Sequence, residues 1–299
     1  MEKITAFLLS LGAEEADVAR LSDAANALQR VCGEDVLARL VSAYESDESK
    51  KITDLTRPLD AAAAEVGVHP YTVDALFVAA AFYTMHERYT ARYGEEIFLD
   101  TARDLVWKLR ECRDVYDTVG TRAASWYDLL LRCKIFALGR LQFHTVTFPF
   151  TTATLKSGKL TAGQKVIKVH IPSSGKLGRE ECLDAYRRAY RFFRQEFEGE
   201  RIPFVCFTWM LSPRIAEGYR AGSNLAGFYG DFEVFDVKDD PTEGDFWRIF
   251  GFPYREGLDP AALPRDTALR AHVADIYAAG GGMQFGYGAF YHDGTNIIK

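Results

Sequence analysis

The 299-residue chain is 48% apolar and 26% charged, with a formal net charge of −6. This composition excludes a disordered chain, a collagen-like chain and a disulfide-dense miniprotein, and the acidic balance argues against a dedicated nucleic-acid binder. The length points to two domains.

The charge is unevenly placed. Residues 1–100 carry 9 basic and 18 acidic side chains, 101–194 carry 18 and 8, and 195–299 carry 9 and 16. Such a layout is either a solvated charged face or a positive surface for an anionic ligand. The start, MEKITAFLLSLGAEEADVARL, has acidic residues directly after a short apolar run and no small-residue cleavage site. It predicts an amphipathic helix, not a signal peptide. No apolar run reaches the ~18 residues of a membrane span. The cysteines Cys32, Cys112, Cys133, Cys182 and Cys206 are odd in number and form no CxxC, and the histidines form no HxH or HExxH. Neither a disulfide framework nor a metal site is expected, and reduced thiols suit a cytoplasmic protein.

In chain order, the first 133 residues predict helices: Ala is abundant, Gly and Pro are sparse, and apolar residues recur three and four apart, as at Phe7, Leu8, Leu11, Val18 and Leu21. A helix carrying Leu76, Phe77, Ala80 and Ala81 follows, then a long one from about Glu95 to Arg113 with Ile97, Phe98, Thr101, Leu105 and Leu109 inward. Another begins near Thr121 and includes Trp126, Leu129, Leu130 and Cys133. Ala63, Gly67 and Val73 match helix-turn-helix spacing, but the second helix would read PYTVDALFVAAAFY, without Lys or Arg and with Asp74 facing phosphates. A buried packing helix is the better expectation.

From Ile135 the pattern changes. IFALGRLQFHTVTF predicts one or two strands, LKSGKLTAGQ a turn region, and VIKVHIP a strand closed by Pro172. The stretch Cys182–Phe197 predicts an amphipathic helix with Leu183, Tyr186, Ala189, Tyr190 and Phe193 inward and Arg187, Arg188, Arg191 and Arg194 outward. FVCFTWML is a central strand covered on both faces, with Cys206 inert inside it. Ser212 and Pro213 open a short helix. DFEVFDV is a strand, helices follow near Gly244–Phe250 and Asp266–Ala279, and GGGMQFGYGAFY contains a loop or tight strand-to-strand turn.

Specific strings carry a resemblance. They are Leu138-Gly139-Arg140-Leu141-Gln142-Phe143, Val169-His170-Ile171-Pro172 with Gly175 and Leu177, and Trp209-Met210-Leu211-Ser212-Pro213. Ser223-Asn224, Phe232-Glu233, Leu263-Pro264 with Thr267 and Leu269, and the terminal glycine-rich segment join them. Together they resemble the bacterial acyltransferase-like proteins with an all-helical N-terminal domain and a GNAT-like C-terminal domain, most clearly from about residue 95 onward. GNAT denotes the coenzyme-A-dependent N-acetyltransferase fold. The resemblance implies an α+β chain: a helical N-terminal domain over 1–133, followed by a GNAT-like mixed-sheet domain with flanking helices over 134–299. It implies an acyl-CoA-dependent N-acyltransferase using acetyl-CoA or another acyl-CoA, with a small-molecule amine or peptide acceptor and no metal, nucleic acid or membrane.

Carried onto this sequence, the resemblance places a pyrophosphate cradle after VIKVHIP, where amides at a helix start hold an anion. Ile171, Ser173, Ser174, Gly175, Lys176, Gly178 and Arg179 are its members; an ordinary Ser-capped strand-to-helix turn is the alternative. The superfamily carries Arg/Gln-x-x-Gly-x-Gly/Ala here and this chain only Gly175-x-x-Gly178. That departure keeps open a second function, a non-catalytic GNAT-like module binding a small molecule or protein. Acyl transfer needs a base for the amine and an acid for the leaving thiolate. His170, on one strand face with Lys168, is the leading base and Glu233 a second. Tyr229 is the acid, and Trp209 and Asn224 are expected against the substrate. Core packing is the alternative for His170, Tyr229 and Trp209.

Overall fold

The computed structural model describes residues 1–299, which divide into two compact units: 1–137 with 172–174, and 138–171 with 175–299.

The first unit is helical: α1 Glu2–Ser10, α2 Glu15–Cys32, α3 Val36–Glu45, α4 Ile52–Thr56, α5 Asp60–Glu65, α6 Pro70–Tyr93, α7 Glu95–Ala102, α8 Asp104–Tyr116 and α9 Ala124–Leu131. Its centre is α6, which starts with Pro70 in the first turn and the His69 ring accepting a hydrogen bond from the Tyr71 N–H. Residues 72–82 of α6 are all buried. A helix apolar all round for three turns must be surrounded by other helices. Ala63 and Val73 are fully buried as well, so the helix-turn-helix spacing is a packing pattern that leaves α6 no face for a groove. Buried Asp74 is met by Thr56 Oγ1 at 2.7 Å and by Arg57 Nη2 at 2.5 Å. The predicted helix over Glu95–Arg113 is two helices, α7 and α8, joined at Arg103. Of their expected inward face, Phe98, Thr101, Leu105 and Leu109 are buried and Ile97 is half-buried. The chain passes close over the start of α6 at Gly120, where a Cβ would lie 2.5 Å from the Tyr71 carbonyl carbon.

A short strand β1 (Phe136–Leu138) leads into the second unit. There follow β2 Leu141–Thr147, β3 Thr152–Leu155, β4 Gly158–Thr161, β5 Lys165–His170, α10 Arg179–Phe193, β6 Ile202–Thr208, α11 Pro213–Ala216, α12 Asn224–Tyr229, β7 Glu233–Asp239, α13 Phe246–Phe250, α14 Ala268–Ala278, β8 Gln284–His292 and β9 Ile297–Ile298. The main sheet runs β2-β5-β6-β8-β7, with β9 against β8. Only the β5–β6 pair is parallel, as expected of two strands joined through a helix.

One face of this sheet is covered by α10, whose buried residues Cys182, Ala185, Tyr186, Ala189 and Phe193 form one stripe. Its ring Tyr186 lies 6.5 Å from Phe143, 6.1 Å from Phe204 and 5.0 Å from Phe290, all on that face. Leu183 and Tyr190, expected inward, are half-buried at the edges of the stripe. The other face is covered by the β3–β4 hairpin: Phe148, Ala153, Leu155 and Leu160 pack on Val166, Val205 and Ala289. The sequence there predicted turns alone, because its alternation of small and polar residues is weak. Trp209, Ile215, Phe246, Ile249, Val273 and Met283 form a further core under α11, α13 and α14.

β6 is flanked on both sides and buried, but it ends at Thr208, and Trp209–Leu211 turn away as one 3-10 turn capped by the Thr208 side chain. The glycine-rich C-terminal segment is a loop only at Gly280–Gly282 and then a strand, β8. Gly286 sits there because the Leu211–Ser212 backbone lies against the sheet, where a Cβ would stand 1.8 Å from the Leu211 carbonyl oxygen; a Cβ on Gly288 would meet the Phe232 Cβ at 2.8 Å and the Leu211 Cδ1 at 2.9 Å. No helix is long and apolar enough to cross a membrane, and all five cysteines are unpaired.

Candidate functional site

The site is built where β5 and β6 part. Their parallel pairing runs through Ile167–Phe204, Lys168–Val205 and Val169–Cys206 and stops there. β6 continues through Phe207 and Thr208, held by Tyr287 and Gly286 of β8. β5 continues one residue to His170, held by Gln142 of β2. Pro172 has no N–H to give and ends the strand. Past Val169 and Cys206 the two strands are no longer paired with each other.

His170 projects to the face opposite α10. Across the β2–β5 ladder it lies diagonally from His144, which is opposite Lys168. The two imidazoles meet edge to face, with ring centroids 4.8 Å apart and Nε2 to Nε2 at 3.4 Å. Lys168 completes the group, its ammonium 5.0 Å from the centre of the Phe207 ring. Burial holds His170 well below the ordinary histidine value, aided by His144 and Lys168. Burial, with Lys168, pushes His144 down to about 4. Both rings are therefore neutral at physiological pH, with a lone pair available to accept a proton. Burial also lowers Lys168. His144 was missed in the sequence because the cross-strand register that joins it to His170 spans 26 positions.

The loop after β5 runs to α10. Gly175 has φ +105 with open space where a Cβ would be, so the glycine is required by backbone conformation. Arg140, at the turn before β2, donates from Nε to the Lys176 carbonyl at 2.9 Å and from Nη2 to the Gly175 carbonyl at 2.7 Å. In a trans peptide the N–H points opposite to the C=O. Holding these carbonyls therefore turns the N–H groups of Lys176 and Leu177 away from the guanidinium. Lys176 is exposed and Leu177 buried. Gly178 is the N-cap residue of α10; a Cβ there would meet the Glu181 carboxylate at 2.6 Å. The first turn of α10 thus already carries negative charge of its own, from Glu180 and Glu181. Ser173 is exposed, and Ile171 and Ser174 are half-buried.

Arg179 is held by Asp231, a carboxylate 2% exposed that the Tyr186 hydroxyl also approaches at 3.4 Å. Burial raises Asp231 while Arg179 opposes the rise. This clamp ties the start of α10 to the segment between α12 and β7, and it makes Arg179 a structural cation.

Tyr229 ends α12, half-buried, its ring 6.3 Å from Tyr219. Tyr219 in turn donates to the Met210 carbonyl at 3.1 Å, in the turn that leaves β6. Tyr229 therefore stands near the exit of β6. Asn224 is exposed at the opposite end of α12. Glu233 shares a sheet face with His170 but lies in the row of Ala289, Val205 and Lys168, three strand spacings or about 14 Å away. Its carboxylate accepts from the Lys156 N–H at 2.8 Å and the Ser157 hydroxyl at 3.1 Å, fastening the β3–β4 turn. Trp209, 5% exposed, belongs to the core under α11, α13 and α14. Burial raises the Cys206 thiol to about 12, which leaves it inert.

Residues 2–133 match the family model of the N-acyltransferase N-terminal domain, and residues 135–290 match that of the GNAT-like C-terminal domain. Among solved structures, the chain is similar to an acyltransferase in complex with decanoyl-CoA and teicoplanin: 21% identity, 97% of this chain and 88% of that one covered, TM-score 0.73. It is also similar to an acyltransferase in complex with CoA and 10C-teicoplanin (21%, 95% and 85%, TM-score 0.71). An acyltransferase variant in complex with octanoyl-CoA gives 22%, 97% and 87%, and 0.71. At these identities the likeness is one of fold. No curated protein matches the chain.

Proposed function

Because the chain belongs to the family that joins an N-acyltransferase N-terminal domain to a GNAT-like C-terminal domain, we propose that it moves an acyl group from an acyl-CoA to an amine. The observation that carries this is the parting of β5 and β6 with neutral His170 at its edge. Strands that cease to pair can present backbone N–H and C=O groups to an extended, amide-bearing chain, and the arm of coenzyme A is such a chain.

In this scheme the loop from Ile171 through Gly178, with Ser173, Ser174, Gly175 and Lys176, receives the phosphates through backbone N–H groups and the Lys176 ammonium. The Arg140 fork on Gly175 and Lys176 supports the fit, and Glu181 beside Gly178 works against it. His170 takes a proton from the acceptor amine as the nitrogen attacks the thioester carbon. The C–N bond forms, the C–S bond breaks, and Tyr229 supplies the proton to the departing thiolate. The tie from Tyr229 through Tyr219 to Met210 supports that placement. Glu233 and Trp209 have structural duties that account for them, and a role for either in turnover rests on the sequence resemblance alone. The solved relatives hold eight- and ten-carbon acyl-CoAs and a glycopeptide, which favours medium-chain donors and a small-molecule or peptide amine as acceptor. The catalytic domain is taken as 134–299, with 1–133 as the helical domain, in a cytoplasmic protein.

The test is isothermal titration with acetyl-, octanoyl- and decanoyl-CoA, followed by thiol release in the presence of amino-sugar and peptide amines. No heat and no thermal shift with any donor would overturn the proposal. Binding without thiol release from any amine would support the non-catalytic binding module that the shortened Gly175-x-x-Gly178 loop favours.

A further inference from the structure

We propose that His144 is a positioning residue for His170: the hydrogen bond between their Nε2 atoms fixes the His170 ring and makes the two imidazoles one unit that holds a single proton. The inference rests on His170 being the base of the proposed reaction.

Two neutral imidazoles can share a hydrogen bond between Nε2 atoms in only one way. One ring carries its proton on Nε2 and donates, and the other carries it on Nδ1 and accepts. At 3.4 Å the pair is within hydrogen-bond reach, and a bond there makes the two rings opposite tautomers. If both were protonated, both Nε2 atoms would be donors, the bond would be lost and like charges would abut. One ring can be protonated at a time, and the other then accepts the bond from it. Lys168 of β5 is the charged group beside the pair; Glu233, Asp236 and Lys238 of β7 share the sheet face farther along, with the Lys238 ammonium 5.1 Å from the centre of the Phe150 ring. The side chains that reach this end of the face from neighbouring elements include Phe207 of β6 and Phe150 of the segment before β3, 5.6 Å apart and uncharged. A proton removed from an acceptor amine would place a cation beside Lys168 in a buried site. Spreading that charge over two hydrogen-bonded rings lowers the cost of holding it there. The proton balance is then complete: one N–H bond breaks on the amine and one forms on His170, Tyr229 protonates the thiolate, and a proton passing through solvent from the pair to the Tyr229 phenolate restores both.

The test uses the full chain labelled with 15N in its six histidines. Long-range 1H–15N spectra at pH 7.5 are expected to show His144 and His170 as opposite tautomers. In His144→Phe, which keeps the ring packing, His170 is expected to lose its single tautomer and to titrate lower still, because its protonated form loses the ring that accepts from it. In the thiol-release assay His144→Phe should lose about tenfold or more in kcat with unchanged decanoyl-CoA affinity. His144→Gln, which can still donate and accept, should recover most of that loss. The same tautomer on both rings, an unchanged His170 titration in His144→Phe, or equal kcat in the two variants would overturn the inference. If the wild type fails to bind any acyl-CoA, the proposed function falls, while the spectra still decide the pairing.

Discussion

The closest backbone approach in the second unit gives the sharpest prediction about the scaffold that opens β5 from β6. Replacing Gly286 by Ala puts a Cβ 1.8 Å from the Leu211 carbonyl oxygen, 2.1 Å from its carbon and 2.8 Å from the Ser212 nitrogen. Contact distances near 3.5 Å would require the two backbones to separate by about 1.5 Å. Neither side is free to move. Gly286 is laddered to Thr208 on one side and Val237 on the other. Ser212 is fully buried, and its hydroxyl donates to Gln284 Oε1 at 2.8 Å while accepting from the Ile215 N–H at 3.2 Å. Overpacking costs roughly 1–3 kcal/mol, and the loss of one buried hydrogen bond adds about 1 kcal/mol. An expected penalty of about 2–4 kcal/mol lowers the melting temperature by roughly 5–15 °C for a unit of this size. Gly227→Ala is the control. It lies in α12, where the nearest atom to a Cβ is Arg179 Cδ at 3.6 Å, so relief of the glycine penalty should gain about 0.5–1 kcal/mol. Calorimetry of both variants decides the matter: Gly286→Ala melting within about 2 °C of wild type would refute the close approach.

Three further outcomes follow from the site. Trp209→Ala should cost about 3–5 kcal/mol in urea unfolding, with decanoyl-CoA affinity of the folded protein unchanged, because the ring is a core element. Glu233→Gln should leave the pH–rate profile of thiol release unmoved and cost about 1 kcal/mol, because the carboxylate fastens the β3–β4 turn. Arg179→Met strips the partner from Asp231, 2% exposed, and should destabilise by about 3 kcal/mol at pH 8. Burial raises Asp231 in the folded state, so the folded protein binds a proton that the unfolded chain does not. Stability is then greatest at low pH and lost as pH rises through the folded value. The deficit of the variant should therefore shrink between pH 8 and pH 5, and adding Asp231→Asn should remove its pH dependence; a deficit flat in pH would refute the assignment.

What the sequence reveals depends on the range of the interaction. Helix α10 is legible because its apolar residues recur within one turn, and Ser212 with Pro213 announces α11 for the same reason. The helical first unit is legible in bulk, yet the break at Arg103 is not, since Arg103 keeps helical angles and no Gly or Pro marks it. The β3–β4 hairpin is missed because its register is fixed by packing on Val166, Val205 and Ala289 from distant strands. The site divides in the same way. His170 and the Gly175 loop stand out by local spacing and by resemblance. His144, the Arg140 fork and the Asp231 clamp depend on partners 26, 35 and 52 positions away, and nothing local points to them. Glu233 and Trp209 drew attention by residue type, but burial and hydrogen bonding give them structural tasks.

The acidic–basic–acidic order of the chain has a third explanation that neither a solvated face nor an anion-binding surface supplies: the blocks neutralise one another within each unit. In the first, Arg113 of the basic block meets Glu14 at 2.6 Å and Asp17 at 2.7 Å, and Arg110 meets Glu14 at 3.3 Å. Arg103 meets Asp100 at 2.5 Å. The hydrogen bond from Arg113 holds Glu14 below the usual carboxylate range. Arg132 is turned inward to the carbonyls of Tyr44 and Asp47, its guanidinium 3.8 Å from the centre of the Tyr44 ring. In the second unit, Lys165 reaches Glu196 at 3.3 Å and Arg179 reaches Asp231, both acids of the final block. Arg188 is paired with Asp184 on its own helix at 2.6 Å. Apart from the pairs to buried Asp17 and Asp231, these exposed ion pairs are each worth about 0–1 kcal/mol, so their main effect is to cancel charge. An anion arriving at the loop after β5 therefore finds much of the positive charge of the basic block already paired. It meets exposed Lys176 and the N–H groups that the Arg140 fork turns outward, so fixed backbone dipoles would provide much of the attraction.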